Sequence, residues 1–243
     1  MIQPQRLANH TQALFDVTLD DSQLDHMAFY AREMLDWHTN RANLTGITEP
    51  EAVEIRHFLD SLSVLLLDIP SGARVADVGA GAGFPGLVLK IARPDLHVTL
   101  IESVGKKTAF LKHVVAALEL ADVDVLQTRA ETLGQDYDYR ESFDLVVARA
   151  VAKLPVLVEY MLPLSRVDGI CCAMKGSSAL AEVNDANPAI ETLGGHFARM
   201  HSVSLPNVDE PHMLVIIEKV RMTPSAFPRR AGIPTKRPIH EEA

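Results

Sequence analysis

Cysteine is nearly absent: Cys171 and Cys172 are the only two in 243 residues, and they stand side by side in an apolar run. Neighbouring thiols cannot staple distant segments or fill a zinc site, which excludes a disulfide framework and a cysteine-built metal centre, and no metal is expected. Apolar runs long enough to span a membrane are lacking. The polar start Met1-Ile2-Gln3-Pro4-Gln5-Arg6 also lacks the hydrophobic segment of a secretory signal, so the expected location is the cytoplasm, with no membrane partner. Positive charge is in deficit, the net charge being −9, which argues against polyanion binding by the whole surface and leaves that task to local patches.

Two chemical signatures are missing as well. No Asn or Asp followed by two prolines and an aromatic closes a strand, as methylation of an exocyclic base amine would want. No Pro-Cys pair stands at a strand end to attack a pyrimidine ring. What remains is chemistry on an atom that already carries a lone pair, for which alignment and exclusion of water suffice without a general base.

The organising stretch is Arg74-Val75-Ala76-Asp77-Val78-Gly79-Ala80-Gly81-Ala82-Gly83-Phe84-Pro85-Gly86. Glycines so dense cannot lie inside a helix or strand, and Pro85 suits a helix start, so the segment reads strand, glycine turn, helix. Free backbone N–H groups at such a helix start would receive a nucleotide or an anionic group. Two ligands compete. Gly81-Ala82-Gly83-Phe84-Pro85-Gly86 matches the dinucleotide fingerprint, with Glu102 about 20 residues on, and keeps an NAD-dependent oxidoreductase as the alternative. The turn, however, begins at Gly79, two positions after Asp77. A carboxylate there suits a cofactor carrying a cationic amine or sulfonium and opposes a pyrophosphate, which favours S-adenosylmethionine.

The rest of the chain fits around this unit. Residues 1–70 read as a helical cap, with an amphipathic helix opening at Asp21 and ending near His38, and a second helix opening at the capping box of Thr48 and Glu51. Residues 71–220 alternate: strands over 75–78, 97–101, 123–126, 143–147 and 169–174, with helices between them, then a closing pair over 196–205 and 212–219. The expected fold is α/β, a mostly parallel seven-stranded sheet covered on both faces, with the ligand at the carboxyl ends of the strands. Residues 221–243 read as an extended cationic arm, rich in proline and free of acids as far as His240. A solvated tail without a partner is the other reading.

Strand ends supply the candidate site. Asp77, Gly79 and Gly81 belong to the turn, and Glu102 closes strand two, where a carboxylate can accept from both ribose hydroxyls. Ala130 and Glu131 follow strand three, placed to offer a backbone N–H and a carboxylate to an adenine edge. Arg149 follows strand four beside cofactor or substrate, a structural salt bridge being its competitor. His57 and Asp60, one turn apart on the second helix, read as a structural hydrogen-bonded pair outside the chemistry.

Together Trp37 through Thr45, His57 to Leu62, Asp77 to Gly86, Glu102-Ser103 with Lys106-Lys107, Arg129-Ala130-Glu131, Ala148 to Val151, Lys175-Gly176 and Pro228 to Gly232 resemble the bacterial small-subunit rRNA guanine-N7 methyltransferases, also called glucose-inhibited division protein B. The resemblance runs from about residue 24 to 238; His38 stands where the pattern has an asparagine. It implies a class I methyltransferase fold (Rossmann-like) and methylation of N7 of guanine 527 in 16S rRNA, free, in the 30S subunit or in an assembly intermediate, by a monomer using S-adenosylmethionine. Carried onto this chain, it implies that Gly79 and Phe84 line the cofactor site and Ala130 and Glu131 hold the adenine. It also implies that Arg149 sits where cofactor and substrate meet, while charge and position assign Lys106, Lys107, Arg229 and Arg230 to RNA phosphates. A module that binds RNA without chemistry is a third reading.

Overall fold

A computed structural model describes residues 1–239. Seven strands form one sheet in the order β3-β2-β1-β4-β5-β7-β6: β1 Arg74–Val78, β2 His97–Glu102, β3 Val123–Gln127, β4 Phe143–Arg149, β5 Ser165–Lys175, β6 Gly195–Val203 and β7 His212–Lys219. β1 pairs in parallel with β2 and β4, and β7 alone runs against its neighbours β5 and β6. Central strands covered on both faces read as unbroken apolar runs, and in β1 every residue after Arg74 is buried. The helices Gly86–Ala92, Gly105–Ala117, Leu154–Met161 and Ala179–Thr192 lie near their expected positions.

The segment before β1 holds more than the two expected helices. Pro4–Phe15 is helical, with only Leu7, Thr11 and Phe15 buried along it, a stripe too sparse to announce a helix. Its anchor is ionic: Arg6 Nε lies 2.7 Å from Glu54 Oε1, and Gln3 N donates to Glu54 Oε2 at 2.6 Å. The helix Asp21–Asn40 starts from a reciprocal capping box, in which Asp20 accepts from Gln23 N and Gln23 accepts from Asp20 N. It buries Leu24, Met27, Tyr30, Ala31 and Met34, and each large side chain so buried contributes about 1.5–3 kcal/mol.

The second expected helix is a composite rod over residues 50–66. Its cap is Glu49, whose carboxylate accepts from Glu51 N and Ala52 N, rather than Thr48. An α turn Pro50–Val53 widens into a π segment Glu54–Leu59, then tightens through Asp60–Leu62 to a 3-10 turn Ser63–Leu66. Such wide turns rotate the side chains that follow, and they recur at functional sites. Here the wide turn carries Arg56 and His57.

The expectation of an extended arm at the carboxyl end is corrected. Lys219 is fully buried against Glu141, at 2.9 Å. Arg140 gathers the carbonyls of Thr223, Pro224 and Phe227, and Arg229 pairs with the buried Glu159. A short helix, Ile233–Lys236, follows. Proline-rich backbone leaves its carbonyls unpaired, and fixed guanidinium donors fold it back onto the body. Residues 240–243 of the expected arm lie outside the described residues.

Candidate active site

The turn after β1 is satisfied from within. Gly79 N and Ala80 N donate to Ile101 O at 2.8 and 3.0 Å, Gly83 N and Phe84 N donate to Ala80 O, and Gly81 N donates to Glu102 Oε2 at 3.0 Å. The helix start Gly86–Ala92 is capped by Asp77, whose Oδ2 accepts from Gly86 N at 2.8 Å. The expected nest of free N–H groups is therefore absent from these positions: the acids and the β2 carbonyl have consumed the donors a pyrophosphate would need. Asp77 Oδ1 is buried without a partner. Burial pushes the Asp77 carboxyl up to about 7, against the opposing Gly86 N–H and Arg149 charge. With the N–H groups of Gly79, Ala80, Gly81, Gly83, Phe84 and Gly86 already taken, the turn offers few donors to an anionic ligand, and Asp77 lies buried beneath it.

A crevice of about 90 Å³ opens where β1, β2 and β3 end, lined by Gly79, Glu102, Ser103, Arg129, Ala130, Glu131, Val151 and Tyr160 among others. Of the expected cofactor residues, Gly79, Glu102, Ala130 and Glu131 meet here. Both carboxylates carry internal bonds: Glu102 Oε1 accepts from Val104 N at 2.7 Å, and Glu131 Oε1 accepts from Gly232 N of the returning tail at 3.1 Å. Gly79 has φ +70, and a Cβ there would lie 2.7 Å from Val151 Cγ2. Only glycine meets both demands.

Phe84 does not line this crevice, a correction to the reading by resemblance. It is buried in a stack between Tyr30 (centroids 5.2 Å, 17°) and His57 (4.7 Å, 21°), while the Tyr30 hydroxyl donates to Ala82 O. Packed between these rings, Phe84 pins the turn to the first helices. Sequence reading passed over Tyr30, although its spacing from Met27 and Met34 is that of the buried stripe.

A second cavity, of about 380 Å³, lies on the other side of the strap that follows β4. It is lined by Arg56, His57, Asp60, Arg149, Lys175 and His212 with apolar neighbours. Arg149 is the last residue of β4, and Ala150 takes the left-handed conformation, φ +56. That reversal sends Arg149 into this cavity and Val151 over Gly79 in the other, at a backbone cost of about 1–2 kcal/mol. Arg149 Nη1 donates to Asp60 Oδ2 (3.0 Å) and Arg56 O (2.8 Å), Nη2 lies 3.3 Å from His57 Nδ1, and the guanidinium sits 5.0 Å over Phe84. His212 Nδ1 meets Asp60 Oδ1 at 2.9 Å. His57 and Asp60 thus serve Arg149 instead of forming the closed pair expected of them. Burial and then the Arg149 charge lower the His57 pKa to about 4, so its ring is neutral. His57 Nδ1 stands between a donor, Arg149 Nη2 at 3.3 Å, and an acceptor, Arg56 O at 3.2 Å, while Nε2 lies 2.7 Å from Thr45 Oγ1. His38 Nδ1 accepts from Leu44 N and Thr45 N, a role an asparagine carbonyl could fill as well.

The expected RNA contacts divide. Lys106 is exposed and Lys107 half-buried in the first turn of Gly105–Ala117, where no acid offsets the helix dipole, and Arg230 is exposed. Arg229 is spent on Glu159, with Nη2 2.5 Å from Oε2 and Nε 2.9 Å from Oε1, because a buried carboxylate demands a partner.

This sheet order with only β7 reversed, an acid in the first strand, a glycine turn and an acid closing β2 define a class I methyltransferase fold. It recurs in the SAM dependent methyltransferase from Aquifex aeolicus, 15% identical with TM-score 0.51 over 70% of this chain and 93% of that one. It recurs too in TrmN from Thermus thermophilus, 20% identical with TM-score 0.52 over 67% of this chain and 48% of that one. The family model GidB, described as rRNA small subunit methyltransferase G, matches residues 23–212, and the chain belongs to that family. Ribosomal RNA small subunit methyltransferase G of Roseiflexus sp. (strain RS-1) is 51% identical over 95% of this chain and 98% of that protein. The Desulforamulus reducens protein of the same name is 45% identical over 94% and 96%. The alternative of an NAD-dependent oxidoreductase finds no support in these matches.

Proposed function

We propose that the protein methylates N7 of a guanine in 16S rRNA, guanine 527 by the family resemblance, with S-adenosylmethionine as methyl donor. The observation that carries this reading is the division at Ala150: a carboxylate-rich crevice holding Gly79, Glu102 and Glu131 on one side, and the Arg149 cavity on the other. S-adenosylmethionine supplies a methyl group made electrophilic by its sulfonium. Glu102, Ala130 and Glu131 hold the nucleoside, and Asp77 sets a negative field beneath Gly79 and Gly81 that suits the cationic methionine end. Arg149 orients the purine. Because N7 already carries a lone pair, transfer would need no general base, and the chain's part is to align the base and exclude water, with the neutral His57 taking no proton.

Lys106, Lys107 and Arg230 meet phosphates, while Arg229 keeps the tail that walls the crevice in place. The same reading treats 1–70 as a cap, 71–220 as the catalytic domain and 221–243 as the tail. It takes a monomer acting in the cytoplasm on the 30S subunit or an assembly intermediate. No helix among the described residues is long and apolar enough to cross a membrane.

The test uses 30S subunits from cells lacking this protein, incubated with enzyme and S-adenosylmethionine and then cleaved with borohydride and aniline, which cut at 7-methylguanosine. One scission at guanine 527 is expected. Methylation at another atom, or none, overturns the reading. Calorimetric titration with S-adenosylmethionine and with NADH checks the cofactor, only the first of which should bind.

A further inference from the structure

Resting on that reading, we propose that Asp60 is a specificity-determining residue that selects guanine by accepting from N1–H and the N2 amine. Asp60 lines the Arg149 cavity, although the residue is only 4% exposed. Burying a carboxylate costs several kcal/mol unless partners offset it, and here Arg149 and His212 each take one oxygen, at 3.0 and 2.9 Å. A carboxylate has about four acceptor sites. Two are used, which leaves one on each oxygen and hence a two-pronged acceptor fixed from both sides.

The remainder of the lining narrows the guest. Arg56, Arg149 and His212 present nitrogen donors, Lys175 is engaged by Glu182 at 2.8 Å, and Asp60 is the single carboxylate among the residues lining the cavity. At about 380 Å³ the cavity lies near the small end of ligand pockets, with room for a single base turned out of its stack. Paired donors on the Watson–Crick edge belong to guanine alone. Adenine and cytosine set a ring acceptor beside their amine, and uracil flanks its one donor with carbonyls. Any of these would face Asp60 with a lone pair against a charge.

The same contact favours the reaction. When N7 takes the methyl group the purine becomes a cation, and its N1–H and N2–H donors strengthen. A carboxylate fixed on that edge therefore binds the transition state better than the ground state.

The experiment compares 30S particles reconstituted with 16S rRNA carrying guanine or inosine at position 527, inosine lacking only the N2 amine. Wild-type enzyme should lose roughly 10- to 100-fold in kcat/KM on inosine, the span of one hydrogen bond to a charged group. Asp60→Asn, checked for folding by titration with S-adenosylmethionine, should be slower on guanine and bring the guanine-to-inosine ratio to about one. If Asp60 only props Arg149, both substrates slow together and the ratio keeps its wild-type value, which overturns the proposal. Equal rates of wild-type enzyme on the two particles overturn it without any variant. Failure of the underlying reading is distinguishable, because wild-type enzyme would then methylate neither particle at N7.

Discussion

The two cavities either side of Ala150 are built by different rules. The crevice on the β1–β3 side is made of backbone at successive strand ends, within one alternating unit, and its acids stand at short fixed offsets from the strands. The Arg149 cavity draws Arg56, His57 and Asp60 from a rod before the sheet, Arg149 and Lys175 from β4 and β5, and His212 from the start of the reversed strand β7. The floor of the first comes from neighbouring strand ends, with Val151, Tyr160 and the returning tail closing it, while the second exists only once four distant segments have docked. The contrast predicts that damage to the crevice shows in cofactor affinity and damage to the cavity shows in turnover.

The largest expected effect comes from Arg229→Ala. It strands the carboxylate of Glu159, whose side chain is 1% exposed, at a cost of about 3–5 kcal/mol. Denaturant unfolding should show that loss, and cofactor binding should weaken as Gly232 leaves Glu131; intact stability would show that the tail does not hold the crevice. Next is Gly79→Ala, which sets a Cβ against Val151 at a positive φ. Cofactor affinity should fall about 10- to 100-fold, with Val151→Ala restoring part of it. Additive effects in the double variant would mean that the strap does not press on the turn.

A smaller effect separates the two regions by pH. The Asp77 carboxyl is raised to about 7 in the fold, so its contribution to stability is full below its unfolded value near 4 and is lost as pH rises through about 7. Cofactor affinity should move the other way, improving as Asp77 ionises, and Asp77→Asn should flatten both slopes. An unchanged affinity profile in that variant would remove Asp77 from the cofactor's field. The smallest is Lys106→Glu, which should stabilise the helix Gly105–Ala117 by about 0.3–1 kcal/mol through its dipole. It should also raise KM for 30S and lower the salt dependence of binding by about one phosphate contact. Unaltered KM would place RNA elsewhere.

The sequence made the crevice legible and the cavity only in outline. Alternation of apolar runs with turns located all seven strands, and the offset of Gly79 from Asp77 separated a sulfonium site from a dinucleotide one. Phe84 was misplaced because an aromatic beside a glycine turn can face ligand or core, and only Tyr30 and His57, packed from other helices, decide that it faces the core. His57 and Asp60 looked like an isolated turn-mate pair because a π segment is invisible in apolar periodicity, and it is this wide turn that aims them at Arg149. Arg229 looked free because nothing in a run of basic residues reveals that Glu159, 70 positions earlier, is buried and waiting.

In the proposed division of labour Arg149 serves the purine and the crevice serves the cofactor. Measuring S-adenosylmethionine affinity and single-turnover methylation of 30S subunits in Arg149→Ala and Glu131→Gln tests it most directly. Arg149→Ala should bind cofactor within about threefold of wild type while its transfer rate falls on the order of 100-fold or more, and Glu131→Gln should weaken cofactor binding yet transfer normally once saturated. Cofactor binding lost with Arg149, or turnover indifferent to it, would contradict the division of labour.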